Sequence, residues 1–386
     1  GLSTESFLMI ADRTYHVEIA AAGSDQHQLD CTLLNDSEHK VPFVHSYSLA
    51  HSQSRRSDLW CRIVAPDGSL ITGALVSVHS SRKIPWMRLA RIPQAGYLLR
   101  AISPSTLKQL IRECRRAVGN LVLLNMQAFS INEGQLAHVV TGLKQSGFEE
   151  DTVPRDYTNT LVLSLVGDES DLRSRLSGSA RRNIGQVQKA GFVLRSIDSV
   201  EYVERLNELL RRSTDRTGGT SSAVDFRALI HAAAMDPSSS VLIGIFHPTR
   251  TGTDKLVGFA HGVVGTDCAI YSVAGTDRGP DIGRAPLSYG LVWELIKWGQ
   301  LHQLPWFDFG GITDADDIRN PLHGISEFKR KFGGADQRVG FDMALTLSST
   351  QAKLLDVAGR IMGRLIQRTE QPVARPEDDP INPPPP

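Results

Sequence analysis

The chain has 386 residues, with 42 basic and 42 acidic side chains and 41% hydrophobic residues. That length suits two domains, or one large one, with ample core. The balanced charge excludes a dedicated DNA coat or a polybasic membrane binder and leaves room for a local basic patch. No apolar run approaches the ~20 residues that span a bilayer, and the first residues do not read as a secretory signal, so a cytoplasmic enzyme is the expectation. Cys31, Cys61, Cys114 and Cys268 are scattered, with no CxxC pair and no His–Cys cluster, which predicts reduced and mostly buried thiols.

Residues 1 to 40 alternate polar and apolar around Tyr15, Val17 and Ile19, then Leu29, Cys31 and Leu33, which predicts short strands. A helix is expected from Pro42 to His51, and strands at Trp60–Val64 and Ile71–Val78 on either side of the Pro66-Asp67-Gly68 turn. Ser103-Pro104 opens a helix with an apolar stripe through Leu107, Leu110, Ile111, Cys114 and Val118, closed by Gly119. A buried strand follows from Leu121, then a helix through Leu136, Val139, Val140 and Leu143 that ends at Gly147. The second half repeats this grammar at greater length. Thr160 to Leu165 reads as a strand, and Asp168 to Ala190 as a helix broken at Ser177-Gly178-Ser179. Two helices are expected at Val200–Asp215 and Phe226–Met235. Three antiparallel strands follow (Ser240–Phe246, Leu256–Val264, Cys268–Ala274), then a long helix from Pro286 and a strand from Trp306 to Phe309. Strands alternating with amphipathic helices predict an α/β class. Ser349–Arg368 reads as a final amphipathic helix, and the Pro-rich tail from Gln371 as disordered.

Three places carry chemical potential. Between Arg173 and Arg195 there are six basic residues and no acidic one, and Arg182, Gln186 and Lys189 share one helix face while Ile184 and Val187 turn inward. Such a stripe can hold phosphates, although a solvated helix face has the same pattern. The aromatic strand Phe307-Asp308-Phe309 ends in Gly310-Gly311. After a polar loop comes Ile325-Ser-Glu-Phe-Lys-Arg-Lys-Phe-Gly-Gly334, in which Ile325, Phe328 and Phe332 predict the packing face and Lys329, Arg330 and Lys331 point elsewhere. Finally, Ser213-Thr-Asp-Arg216-Thr-Gly-Gly closes a helix. No Gly-x-Ser-x-Gly, Cys–His or HExxH pattern occurs.

The pattern "Asp-Phe-Gly-Gly, loop, Phe-Lys-x-x-Phe-Gly-Gly" resembles the signature of the FemABX-like peptidyltransferases. The likeness extends over about Thr158 to Gly334: Ser179-Ala-Arg-Arg-Asn-Ile with Gln188-Lys-Ala-Gly, the Arg216 turn, and the helix bearing Ile296-Lys-Trp all look like Fem segments. The resemblance implies two tandem GNAT-like domains with mixed, mainly antiparallel sheets flanked by helices. A degenerate first domain at 1–150, a second at 151–348, a C-terminal helix at 349–370 and a tail at 371–386 follow from it. It implies an aminoacyltransferase that moves an amino acid from aminoacyl-tRNA to an amine of a peptidoglycan-precursor-like or other peptide acceptor, with no metal or cofactor. In that scheme Lys329 steadies the oxyanion, Asp308 orients the amine or acts as a weak base, and Arg216, Tyr271 and Phe328 meet the substrate. Arg181, Arg182, Lys189 and Lys331 would bind phosphates of the tRNA or a nucleotide-linked acceptor. A peripheral contact with a lipid-linked precursor would fit the same scheme. The competing expectation is an acyl-CoA-dependent N-acyltransferase of envelope or exopolysaccharide synthesis. It rests on Arg278-Gly-Pro-Asp-Ile-Gly283-Arg-Ala285, a partial match to a pyrophosphate-binding loop with Pro280 where Gln or Arg is usual. The first half lacks "Tyr-x-Pro-Arg-Gly-Pro", having Arg91-Ile-Pro-Gln-Ala-Gly-Tyr instead, so the acceptor stays open.

Overall fold

A computed structural model describes residues 15–37, 40–53, 58–80, 86–151, 155–217, 223–320 and 322–350. The expected C-terminal helix and tail therefore lie outside the described residues, apart from the first two positions of the helix.

The chain forms two seven-stranded sheets. In the first half β1 (His16–Ala21) is followed by α1 (Asp25–Asn35) and α2 (Tyr47–Ser52), then β2 (Leu59–Val64), β3 (Leu70–Ser80) and β4 (Arg88–Ile92). Helices α3 (Gly96–Ala101) and α4 (Pro104–Val118), strand β5 (Leu121–Phe129), helix α5 (Glu133–Gln145) and the short β6 (Glu149–Glu150) complete it. The second half runs β7 (Asn159–Ser164), α6 (Glu169–Arg175), α7 (Gly178–Lys189), β8 (Val193–Ser196), α8 (Val203–Thr217) and α9 (Phe226–Met235). The meander β9 (Ser240–Phe246), β10 (Leu256–Val264) and β11 (Cys268–Thr276) comes next, then α10 (Leu287–Leu301), β12 (Trp306–Asp308), α11 (His323–Arg330), β13 (Ala335–Arg338) and β14 (Gly340–Thr346).

The strand orders are β1-β2-β3-β4-β5-β14-β6 and β13-β7-β12-β11-β10-β9-β8. Each sheet contains one parallel pair, β4–β5 in the first and β11–β12 in the second, and the other pairings are antiparallel. Each also receives a strand from elsewhere in the chain between its last two members, β14 between β5 and β6 and β7 between β12 and β13. The two halves are thus built to one plan. They are also sewn together, because β14, inside the span 151–348 expected for the second domain, pairs along β5 from Gly340–Phe129 to Thr346–Leu123. The connection is short: β13 ends at Arg338 on the second sheet and β14 starts two residues later on the first.

One segment differs from expectation. Residues 25–35 form helix α1, not a strand: Ser24 caps it by accepting from the His27 N–H, and Leu29 and Leu33 are 54% and 60% exposed. The period-two apolar alternation is on the solvent side. The face turned inward is His27, Asp30 and Leu34, at i, i+3 and i+7, and two of the three are polar. Asp30 accepts from Trp60 Nε1 at 2.7 Å and from Arg62 Nε at 2.6 Å, and His27 stacks on Trp60 at 4.1 Å. A hydrophobicity pattern is blind to a helix whose inner face is a hydrogen-bonded polar network.

Two buried histidines in this lobe are locked as neutral rings. His27 takes the Gly23 N–H on Nδ1 and gives Nε2 to the His45 carbonyl; His45 takes the Leu75 N–H on Nδ1 and gives Nε2 to the Pro93 carbonyl. His261 on β10 is buried as well, and its Nε2 has no partner among the described residues. Burial pulls each of the three down to about 4. The unfolded chain binds these protons near pH 6.5 and the folded one only near 4. Stability is therefore complete above pH 6.5 and is lost as pH falls towards 4, by about 3 kcal/mol for each ring. Urea midpoints measured between pH 7 and pH 4.5 should drop steeply over this window, and His261→Phe should flatten part of that drop.

The lobes share a small apolar seam of Phe129, Ile131, Val162, Ile270 and Val339, with Tyr157 packed against it. Around it, Arg100 of α3 pairs with Asp267 at 3.3 Å, Lys40 Nζ reaches Ser238 at 3.2 Å, and Phe43 meets His261 edge-on.

Candidate active site

Strands β11 and β12 run parallel for only three residue pairs, Cys268–Trp306, Ala269–Phe307 and Ile270–Asp308. Strand β11 then continues to Thr276, with a register break opposite His261/Gly262 that leaves Ser272 as the extra residue, while the chain after β12 turns away through Gly310-Gly311. A bulge bends its own strand and re-aims the side chains next to it. Between the parted strands lies a cavity of about 310 Å³ lined by Tyr157, Tyr271, Gly310, Gly311, Ser326 and Lys329, among others.

The glycines of the signature are explained by space. Gly310 has φ +78°, and a Cβ there would stand 2.0 Å from the Tyr271 carbonyl oxygen. Gly334 has φ +102°, with the Val162 carbonyl 2.7 Å from a Cβ position. Left-handed backbone pressed against a neighbouring carbonyl admits glycine alone.

Helix α11 follows with its buried face made by Ser326 and Lys329. This corrects the expectation that Lys329 points away from the packing face. Phe332 is fully buried beyond the helix end, and Phe328 sits edge-on to Tyr289 and Phe332 at 5.0 and 5.3 Å. Phe328, expected to meet the substrate, packs α11 onto α10 and is not among the side chains that line the cavity. The Lys329 side chain is led inward by this packing and only 6% of the residue is exposed. Its Nζ donates to the carbonyls of Gly311 at 2.6 Å and Gly310 at 3.3 Å, and lies 5.6 Å from the centre of the Tyr271 ring. An ammonium has three donors, so one remains for a ligand. Burial lowers this amine to about 8, against the opposing pull of Asp308.

Asp308 is fully buried. One carboxylate oxygen accepts from Thr160 Oγ1 at 2.6 Å and from the Gly310 N–H at 2.7 Å; the other accepts from the Tyr157 hydroxyl at 2.8 Å. Burial pushes its pKa up, and these three donors act against that shift. Asp308, expected to orient the amine or act as a weak base, is thus held at the floor of the cavity by three donors and is shielded from solvent. Tyr157 and Thr160 were not expected from the sequence. Tyr157 lies between the two halves, outside any periodic segment, and Thr160 reads only as the start of a strand. Tyr271, expected at the site, is there: it lines the cavity beside Lys329, and burial pushes its hydroxyl to about 12.

The other expected contacts lie around the cavity. Arg216 is exposed near the end of α8 and donates to the Thr276 carbonyl at 3.1 Å and to Ser213 Oγ at 3.1 Å. It therefore stands at the last residue of β11, two residues beyond the cavity-lining Ala274, roughly 7 Å along the strand. The glycines after it lie outside the described residues. On α7 the buried residues are Ala180, Ile184 and Val187, so Arg182 and Lys189 face solvent. Arg181 is exposed too, but its guanidinium donates to the carbonyls of Arg173, Ser174 and Leu176 and closes the end of α6. Ser177, the cap of α7, donates to the Lys331 carbonyl, which sets exposed Lys331 beside the start of the basic helix. Arg330 is held by Glu327, Asp336 and the Thr313 carbonyl.

The loop that partly matches a pyrophosphate cradle is internally filled. Arg250 bridges Asp277 at 3.0 Å and Asp281 at 2.6 Å, and Asp277 also pairs with Arg205 and Arg212 at 3.0 Å each. Among the described residues no group of His, Cys, Asp and Glu could hold a metal ion, and no helix is long and apolar enough to cross a membrane.

Two mixed sheets of the same plan, each with a parallel pair and an inserted strand, define an α/β fold of two tandem GNAT-like domains, here with the second parallel pair opened around a buried lysine. The chain has the fold of FemX: the two structures superpose with a TM-score of 0.67 over 87% of this chain and 99% of that one, at 13% sequence identity. The C-terminal domain of a putative lysylphosphatidylglycerol synthetase from Agrobacterium fabrum is also similar, with a TM-score of 0.50 over 87% of this chain and 96% of that domain, at 11% identity. No family model matches the sequence, and no curated protein does.

Proposed function

We propose that the protein is a cytoplasmic acyltransferase of the Fem kind, which moves an aminoacyl group from aminoacyl-tRNA to the amine of a peptide-like, peptidoglycan-precursor-like acceptor. The observation that carries this reading is the buried, partly unsatisfied Lys329 ammonium in the cavity between β11 and β12. In the reaction the neutral amine attacks the ester carbonyl, a C–N bond forms, and the oxyanion that develops takes the remaining Lys329 N–H. The intermediate then collapses, the C–O bond to the ribose breaks, and the proton leaving the amine ends on that oxygen. A fixed donor at such an oxyanion contributes ~3–4 kcal/mol. The ester supplies the driving force, so the scheme requires neither ATP nor a metal.

Support for the tRNA donor comes from the surface that starts two residues from Lys329. Exposed Lys331, Arg182 and Lys189 lie on it with no acidic side chain in α7. Arg216 stands at the far end of β11, suited to an anionic part of donor or acceptor. The acyl-CoA reading is weakened at its own loop, where Asp281 and the adjoining Asp277 put two carboxylates, both paired with Arg250, beside any diphosphate held there. Purified protein given charged tRNA and, in parallel, acetyl-CoA, each with a tripeptide or pentapeptide amine acceptor, tests the choice. Release of uncharged tRNA above the rate without protein is the expected result, and release of free thiol alone would overturn it. Arg216→Ala is expected to raise the KM for acceptor or donor about 10-fold while kcat changes little, since it removes an anion contact remote from the reacting atoms.

A further inference from the structure

The short segment that joins the lobes does more than connect them. Asp342, on the strand that crosses back to the first sheet, accepts the N–H groups of Arg155 and Asp156 on one oxygen and pairs with Arg91 at 2.9 Å on the other. Asp156 in turn accepts the Tyr157 N–H at 2.9 Å. The Tyr157 ring stands edge-on to Phe129 of the first lobe at 6.1 Å, and its Cβ is 2.7 Å from where a Gly311 side chain would begin. Its hydroxyl then reaches Asp308. A continuous set of contacts thus runs from the first sheet, through one tyrosine, to the carboxylate that holds the Gly310 N–H of the same turn whose Gly310 and Gly311 carbonyls hold Lys329.

We propose that Tyr157 is a positioning residue of the site: held by the first lobe, it fixes and keeps ionised the Asp308 carboxylate, which in turn keeps the Lys329 ammonium charged in the cavity. The assignment deepens the acyl-transfer reading and rests on it only for the chemical consequence. The physical basis is that an isolated buried ammonium is unfavourable, and a nearby carboxylate restores its charged form only while that carboxylate is itself ionised and hydrogen-bonded. The charged or titratable groups around this pair are few. Among the described residues, Lys329 shares its cavity with Tyr271 of β11 and Tyr157 of the linker and binds the turn that Asp308 caps, while Cys268 and Asp156 act electrostatically on Asp308 and Tyr157. Arg330 on the same helix is turned outward to Glu327 and Asp336. Losing the Tyr157 hydroxyl therefore removes one of the three donors on Asp308, and no other group among the described residues donates to it.

The test needs no substrate. Protein labelled with 13C at the lysine Cε is titrated by NMR, and Lys329 is assigned as the resonance missing from Lys329→Arg. In the native chain it is expected to titrate near pH 8, and in Tyr157→Phe about half a pH unit lower or more. Asp308→Asn removes the carboxylate charge itself and should lower the midpoint at least as far. A Tyr157→Phe midpoint equal to the native one would overturn the proposal. An unmoved midpoint in Asp308→Asn would do so as well, which keeps the test decisive should Tyr157→Phe not fold. A chain without transferase activity would still show these shifts, and an active chain whose lysine ignores Tyr157 would keep its function and lose this assignment.

Discussion

Lys329→Met is expected to reduce aminoacyl transfer ~100- to 1000-fold while leaving the fold intact. The methionine retains much of the lysine stem, so the packing of α11 survives, and what is lost is the charged donor at the cavity together with its bonds to the Gly310 and Gly311 carbonyls. Lys329→Arg should not restore activity, because a planar fork cannot reproduce the geometry that places Nζ 2.6 Å from the Gly311 carbonyl. The same amine sets a pH limit. Lys329 acts as a cation and is protonated below about 8, so the rate should fall on the alkaline side as pH rises through that value. Initial rates from pH 6.5 to 9.5, with circular dichroism of both variants, check the two statements. Undiminished transfer by Lys329→Met would remove the oxyanion role.

Gly310→Ala is expected to have a large effect on folding. It forces an L-residue to φ +78° and drives a methyl to 2.0 Å from the Tyr271 carbonyl oxygen, a backbone atom that cannot rotate away. Relief requires parting β11 from the β12 turn, which also moves the Lys329 and Asp308 partners in that turn. A loss of ~4 kcal/mol or more is expected, among the larger effects of any single substitution. Gly185→Ala is the control. Gly185 lies within α7 with nothing near its Cβ position, and alanine there should stabilise by about 0.5–1 kcal/mol. Urea unfolding of the two variants side by side gives the comparison, and a Gly310→Ala protein as stable as the native one would contradict the packing described for the turn.

Part of the candidate site is legible in the sequence. The run Asp308-Phe-Gly-Gly and the later Phe332-Gly-Gly stood out because residues with special backbone needs cluster there, and each glycine proves to be pressed against a neighbouring carbonyl or side chain. The long helices, the meander and the strand at Trp306 follow from periodicity and turn residues, and they are where expected. Other features left no such trace. Helix α1 hides its inner face in a hydrogen-bonded set of His27, Asp30, Trp60 and Arg62, which no apolar pattern records. Tyr157 has an ordinary sequence neighbourhood, and its meaning lies in a partner 151 positions away.

The sequence alone determined which segments are helix and strand over most of the chain and which short stretch bears the signature glycines and lysine. These are local properties, set by periodicity, capping and the conformations that glycine permits. The tertiary structure alone decided that β14 closes the first sheet, that Phe328 packs inward while Lys329 enters the cavity, and that Tyr157 joins one lobe to the carboxylate of the other. Each of those depends on contacts between residues far apart in the chain, where burial and hydrogen-bond satisfaction of the whole assembly, not local propensity, select the arrangement.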